Sequence, residues 1–436
     1  MAQQSFSWSR PALLAVALGA ALAAGAQPNV KPPKVQLWMD VSTGGMAGMP
    51  EMELPAGMGG LFGGRPGMGG DASYGMARSL HVMPPRVLDI AMYNSLRPGV
   101  EASQAIPPGM RMGDSLPLLP PPPQAAPRER EPGEVPDEMR RETPKGRILI
   151  YWGCGETVRR GQPRVIDLAR GNPADFGAAF AGRHAADRGA RITPQHVLYP
   201  NERSRNALPR DASLVGEHRV QGDGVPASMR FTLGEAQNLM PPIDLRSRGG
   251  LADSVALSWS TVPHARAYYL HAMGQVGNDM VMWSSAETGD SGMGLFDYLP
   301  NATIERWVRE SVLLRPETTS CAVPKGIFAA PGGGGGRGGD GGAMLRMIAY
   351  GGESNFVHPP QPADRRASWE PEWAVRVRVK ASTMAMLGEE QGGRGAAAAA
   401  APGGQETAPA NPAQSAVESV LPIPNPAGLL KGLFGR

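Results

Sequence analysis

The sequence predicts an all-β protein of two β-sandwich domains, carrying long Gly/Pro/Met-rich disordered insertions and a disordered C-terminal tail. Three observations predict it. Short segments with alternating apolar residues recur along the chain, turn-forming residues separate them, and helical spacing is confined to one stretch. The clearest alternation is in residues 255–272, VALSWSTVPHARAYYLHA. Val255, Leu257 and Trp259 share one face, Pro263 and His264 break the run, and Tyr268, Leu270 and Ala272 resume it.

Taken in order, residues 34–42 (KVQLWMDVS) alternate Val35, Leu37, Met39 and Val41 as a strand. Residues 43–79 then collapse into Gly, Met and Pro, a composition with too little apolar surface to offset its ordering entropy, and read as a long insertion. Residues 86–93 (RVLDIAMY) form the next strand, and 101–106 a weaker one. A second insertion at 117–145 is marked by polyproline and a mixed-charge tract. Residues 147–153 (RILIYWG), the most apolar strand of the first half, are expected at the centre of a sheet, paired with 164–169. A short strand at 196–199 and a hairpin of 216–220 with 227–233 complete a first domain over 34–240.

The second domain spans 243–385. Its SWSTVPHARAYYLHA segment resembles the early strands of fibronectin type III domains, with Trp259, Pro263, Ala265 and Tyr268 in the corresponding places. Residues 344–359 (MLRMIAYGGESNFVHP) are similar to that family's next-to-last strand with its Gly-Glu-Ser turn, and 373–380 (WAVRVRVK) to the closing strand. The resemblance implies a fibronectin-like or immunoglobulin-like sandwich and is silent on function. It is interrupted by an elaborated middle, where Ile304, Trp307, Val308 and Ser311 recur at helical spacing within 301–314, after an Asn301 placed to cap. A glycine loop at 332–342 and a low-complexity tail at 386–436 follow; Leu429, Leu430, Leu433 and Phe434 in the tail either dock as a short helix or fray.

Residues 1–26 read as a signal peptide. Arg10 precedes an apolar run at 12–24, and Ala24-Gly25-Ala26 supplies small residues for cleavage near Ala26. The run is shorter than the ~20 residues of a membrane span, and no later stretch approaches one. The expected location is therefore exported, periplasmic or extracellular. Cys154 and Cys321 either pair across a very long loop or remain separate buried thiols. With 43 basic and 40 acidic residues the chain carries no field that argues for nucleic acid.

No catalytic constellation or cofactor motif emerges. Gly289-Asp290-Ser291-Gly292 resembles the nucleophile segment of chymotrypsin-like serine proteases, but Met293 stands where that family has glycine, and His184 is a poor match to its histidine motif. The histidines are scattered, and His271, out of phase with Leu270, is expected at the surface near His264. Trp283, Trp307 and Trp369 are either core or a binding platform, with core favoured. Met46, Met49 and Met52 fall at every third residue, with Met58, Met68, Met76, Met83 and His81 beyond them. Thioethers are soft ligands that select Cu(I), so the first three form a candidate metal site. The expected function is non-enzymatic binding or scaffolding in the cell envelope, with an envelope protein or polysaccharide as partner. Copper handling and an unrecognised secreted hydrolase are the alternatives.

Overall fold

The computed structural model describes residues 31–49, 51, 71–123, 146–167, 182–329, 342–364 and 367–388. Residues 1–26, Met52, Met58 and Met68, most of the 117–145 insertion, the glycine loop up to 341 and the tail from 389 lie outside the described residues, whereas the first residues of the expected tail belong to the last strand.

Among the described residues, sixteen strands build three sheets. The largest has the order β6-β5-β13-β12-β15-β16-β1-β2-β7, comprising Arg164–Asp167, Arg147–Trp152, Asp279–Ser284, Ala267–Val276, Ala343–His358, Trp373–Leu387, Val35–Thr43, Arg86–Asn94 and His196–Tyr199. β10-β11-β14 (Arg246–Arg248, Val255–Ser258, Ser320–Val323) and β4-β3-β8-β9 (Ser115–Leu118, Ala102–Ala105, Gly216–Gly222, Arg230–Leu233) are the smaller sheets. The all-β class and the packing of sheets on one another are as the alternation predicts.

The expected division at 240–243 does not separate the sheets. β1 of the first half pairs in parallel with β16 of the second, Val35 to Trp373 through Thr43 to Ala381, and β5 pairs in parallel with β13. One continuous core results. Leu37, Met39, Leu88 and Ile90 share it with Val377, Leu345, Leu270 and Trp283, and with Leu118, Phe231, Leu257 and Val323 of the small sheets. Each large-sheet residue named here is in phase with its strand's alternation, so both small sheets cover the same face. β16 is thus not a closing strand, and β5 sits second from the edge rather than at the centre.

The stretch at 255–272 is split between sheets. β11 and β12 diverge at Pro263 and His264, the latter at φ 63°, and the Trp259 and Tyr268 rings meet across the core at 5.7 Å. The expected Gly-Glu-Ser turn is a β-bulge between Tyr350 and Gly352, and β15 runs on through it. Helix α1, Asn301–Arg309, buries Ile304 and Trp307 against Tyr269, Ile348 and Tyr350 on the opposite face of the large sheet. Pro300 takes the cap position; Asn301 instead bonds both backbone groups of Glu353 at 2.8 Å.

Cys154, just after β5, is bonded to Cys321 on β14, with Cα atoms 5.1 Å apart. The bridge ties the large sheet to the small one. Among the described residues no helix is long and apolar enough to cross a membrane.

Candidate functional site

The second face of the large sheet carries the chemistry. Asp40 and Ser42 on β1, Asp89 on β2, Arg378 and Lys380 on β16, Arg346 and Tyr350 on β15 and His271 on β12 alternate with core residues and so point away from the small sheets. Most of that face is closed to water. Residues 71–85, 182–193 and 285–300, together with α1, lie over it, which is why Lys380 is 0% exposed and His271 2%. His271 faces as its strand period predicts, but it is buried, not at the surface.

Between strands the charges are matched. Asp40 stands opposite both Asp89 and Arg378. Arg378 Nε donates to Asp40 Oδ1 at 2.7 Å, and its guanidinium lies 4.5 Å from the Tyr298 ring centre. Lys380 Nζ donates to the carbonyl of Arg78 at 3.0 Å and lies 4.7 Å from the same ring; burial lowers its pKa to about 8. Asp89 Oδ2 accepts from the backbone N–H groups of Gly75 (2.9 Å) and Ala77 (3.0 Å), so part of the expected 43–79 insertion is fastened to the sheet. Burial, helped by the Asp40 charge, pushes the Asp89 carboxyl up to about 8. His81 donates from Nδ1 to the Pro84 carbonyl and accepts the Ser42 hydroxyl at Nε2, both at 2.9 Å, and burial lowers it to about 4. With both nitrogens engaged, it is no metal ligand.

These shifts set a pH profile. Folded Asp89 keeps its proton to about pH 8 and unfolded Asp89 loses it near 3.8, so folding takes up a proton between those limits and stability falls as pH rises. His81, and His271 lowered to about 3 by burial and the Arg346 charge, act oppositely below about pH 6.5, being neutral only when folded. From about pH 6.5 to 8, Asp89 acts without them, and stability should drop by about 2 kcal/mol. Urea titrations across that range should show the drop in the wild type and a flat profile in Asp89→Asn; a wild-type profile already flat refutes it.

Beside this network opens a cleft of about 390 Å³ lined by Arg78, Ser79, Leu80, Met293, Gly294, Phe296, Asp297 and Arg346. Arg78 is committed: its Nε donates to Asp297 at 3.0 Å and its Nη2 lies 3.0 Å from Asp187. Arg346 lies 5.3 Å from the Phe296 ring centre, and burial lowers its pKa. No carboxylate among the described residues pairs with it.

The Gly-Asp-Ser-Gly segment lies against the same face. His271 Nε2 donates to the backbone carbonyl of Ser291 at 3.1 Å, not to its hydroxyl, whose Oγ is buried with no hydrogen-bond partner among the described residues. Asp290 is held by Arg183 at 2.8 Å. The three residue types meet, but their hydrogen bonds are not those of a serine–histidine–aspartate chain.

Of the methionines, Met46 and Met49 line a second cleft of about 240 Å³ with Met83, Glu51, Asp244 and Thr383. Met46 bridges to Met384 on β16, while Met76 is buried beside Ala72 and Val87. Trp283 and Trp307 are core, and Trp283 Nε1 donates to the Gly153 carbonyl at 3.0 Å; Trp369 donates to the Pro359 carbonyl. The sequence reading missed Arg346, Arg78 and Asp297. For Arg346 the available signal was a charge in the middle of the apolar strand MLRMIAY; Arg78 and Asp297 lie outside the strands, where no alternation marks them.

No protein-family model matches the chain, and comparison with curated proteins and with solved structures returned no match.

Proposed function

We propose that the chain is an exported, non-enzymatic protein that acts by binding or scaffolding in the cell envelope, with an envelope protein or polysaccharide as partner. The observation that carries the binding reading is the cleft at Arg346, where a charged group and an aromatic ring converge without a partner for the charge among the described residues. Next to it, His271 bonds the Ser291 backbone carbonyl rather than its hydroxyl and Asp290 is held by Arg183 rather than by His271, which favours recognition over hydrolysis. The leader-like residues 1–26 and the Cys154–Cys321 bridge support export to an oxidising compartment. Three strands, β10-β11-β14, facing β13-β12-β15-β16 with Trp259 against Tyr268 support the fibronectin-like reading of the second half.

The test is expression of the full chain with a C-terminal tag, fractionation of the cells, and crosslinked recovery from the envelope fraction. A mature chain beginning near Gln27 and a reproducible partner are expected. A chain retained uncleaved in the cytoplasm would overturn export, and recovery of nothing above background would overturn the binding role.

Copper handling is the second reading, favoured by the convergence of Met46, Met49 and Met83 on one cleft. Titration with Cu(I) in competition with a chromophoric chelator should show binding that Met46→Leu/Met49→Leu/Met83→Leu removes; equal binding by this folded variant excludes that cleft.

A further inference from the structure

We propose that the cleft over β15 binds a small organic carboxylate, with the carboxylate on the Arg346 guanidinium and the apolar body against Phe296, Leu80 and Met293. This deepens the binding reading above and rests on it.

The charge balance of the cleft selects the ligand. Two lining residues are cationic, but Arg78 is neutralised by Asp297 and Asp187. His271, registered opposite Arg346 across β12 and β15, is neutral, lowered to about 3 by burial and by Arg346 itself. Asp290 is paired with Arg183. Arg346 is therefore left with an aromatic face at 5.3 Å and no anion among the described residues. A half-buried guanidinium without a counter-charge is poorly solvated, and its planar fork matches a carboxylate bidentately.

One uncompensated charge suits a monoanion. A phosphate dianion would need a second free cation, and the other lining arginine, Arg78, is already paired with Asp297 and Asp187. Phe296, Leu80 and Met293 supply apolar surface for the remainder of the ligand, and about 390 Å³ fits a small acid or one terminal residue of a peptide.

The experiment is isothermal titration of the mature chain with 3-phenylpropionate, 3-phenylpropanamide, inorganic phosphate and an N-acetylated tetrapeptide ending in a free C-terminal phenylalanine. Saturable binding of the acid is expected, weakened about tenfold or more in the amide and in Arg346→Met, as loss of a charge-assisted pair requires. Arg346→Lys should retain weaker binding. Arg346→Met should also melt no lower than the wild type, since it removes a half-buried charge that has no counter-charge among the described residues, an outcome that a merely structural arginine would reverse. Tighter binding of the peptide than of the acid would place the carboxylate at a chain terminus; the opposite order would place it on a free acid. Equal binding of acid and amide, unchanged binding in folded Arg346→Met, or phosphate binding as tightly as the acid overturns the carboxylate assignment. None of these touches the envelope recovery experiment, so the binding reading stands or falls separately.

Discussion

Replacing Cys154 and Cys321 together with alanine is expected to lower the unfolding free energy by about 5 kcal/mol, the loop-closure value for a separation of 167 residues. The residues joined belong to different sheets, and the bonded chain crosses the core between Gly153, whose carbonyl accepts from Trp283, and β14. Without the bond, the three-stranded sheet is held to the large one at this end by apolar contacts and by two backbone hydrogen bonds, Gly155 N–H to the Ala322 carbonyl at 3.0 Å and Lys325 N–H to the Glu156 carbonyl at 2.9 Å. Loss at that scale is comparable to the whole stability of many domains, so the variant should be partly unfolded at 37 °C. Urea unfolding of the oxidised chain, the reduced chain and the double alanine variant measures it. A shift below about 1 kcal/mol would mean that the unfolded chain is already compact around these positions.

The strands were legible because burial on one face leaves a period of two in the sequence; β1, β2, β8, β9 and β15 lie within a few residues of their expected bounds, while β16 runs on to Leu387, past the expected end at 380. Which strands pair was not. Alternation records that a strand has a wet or a covered side, but not its neighbour, and the β1–β16 pairing joins residues more than 300 apart, such as Val35 and Trp373. The run through Trp259 and Tyr268 looked like one pairing unit; its corner at Pro263 carries the chain from one sheet to the other.

The candidate site was hidden by a different cause. Asp40, Asp89, Arg378 and Lys380 occupy the polar phase of their strands, which in a two-layer sandwich faces solvent. Here aperiodic segments cover that phase, and their hold comes from backbone groups, such as Gly75 and Ala77 on Asp89, that leave no side-chain pattern. Opposite charges at mid-strand in KVQLWMDVS and WAVRVRVK were the visible trace of the pairing.

That pairing makes Arg378 the most sensitive single position on the covered face. Arg378 and Asp40 side chains are 3% and 7% exposed, and Asp40 has Asp89 directly across β2. Arg378→Met would leave the Asp40 carboxylate buried without its fork and strip the Tyr298 ring of one of its two cations. Removing one partner of a buried pair costs about 3–5 kcal/mol, because the survivor stays desolvated. Replacing both, in Asp40→Leu/Arg378→Met, removes the stranded charge as well, so most of that loss should return. Chemical unfolding of the two single variants and the double completes the cycle. A double variant as unstable as Arg378→Met would show that the pair is needed to seat residues 182–193, through the 4.0 Å approach of Arg378 to Asp187, more than to neutralise Asp40.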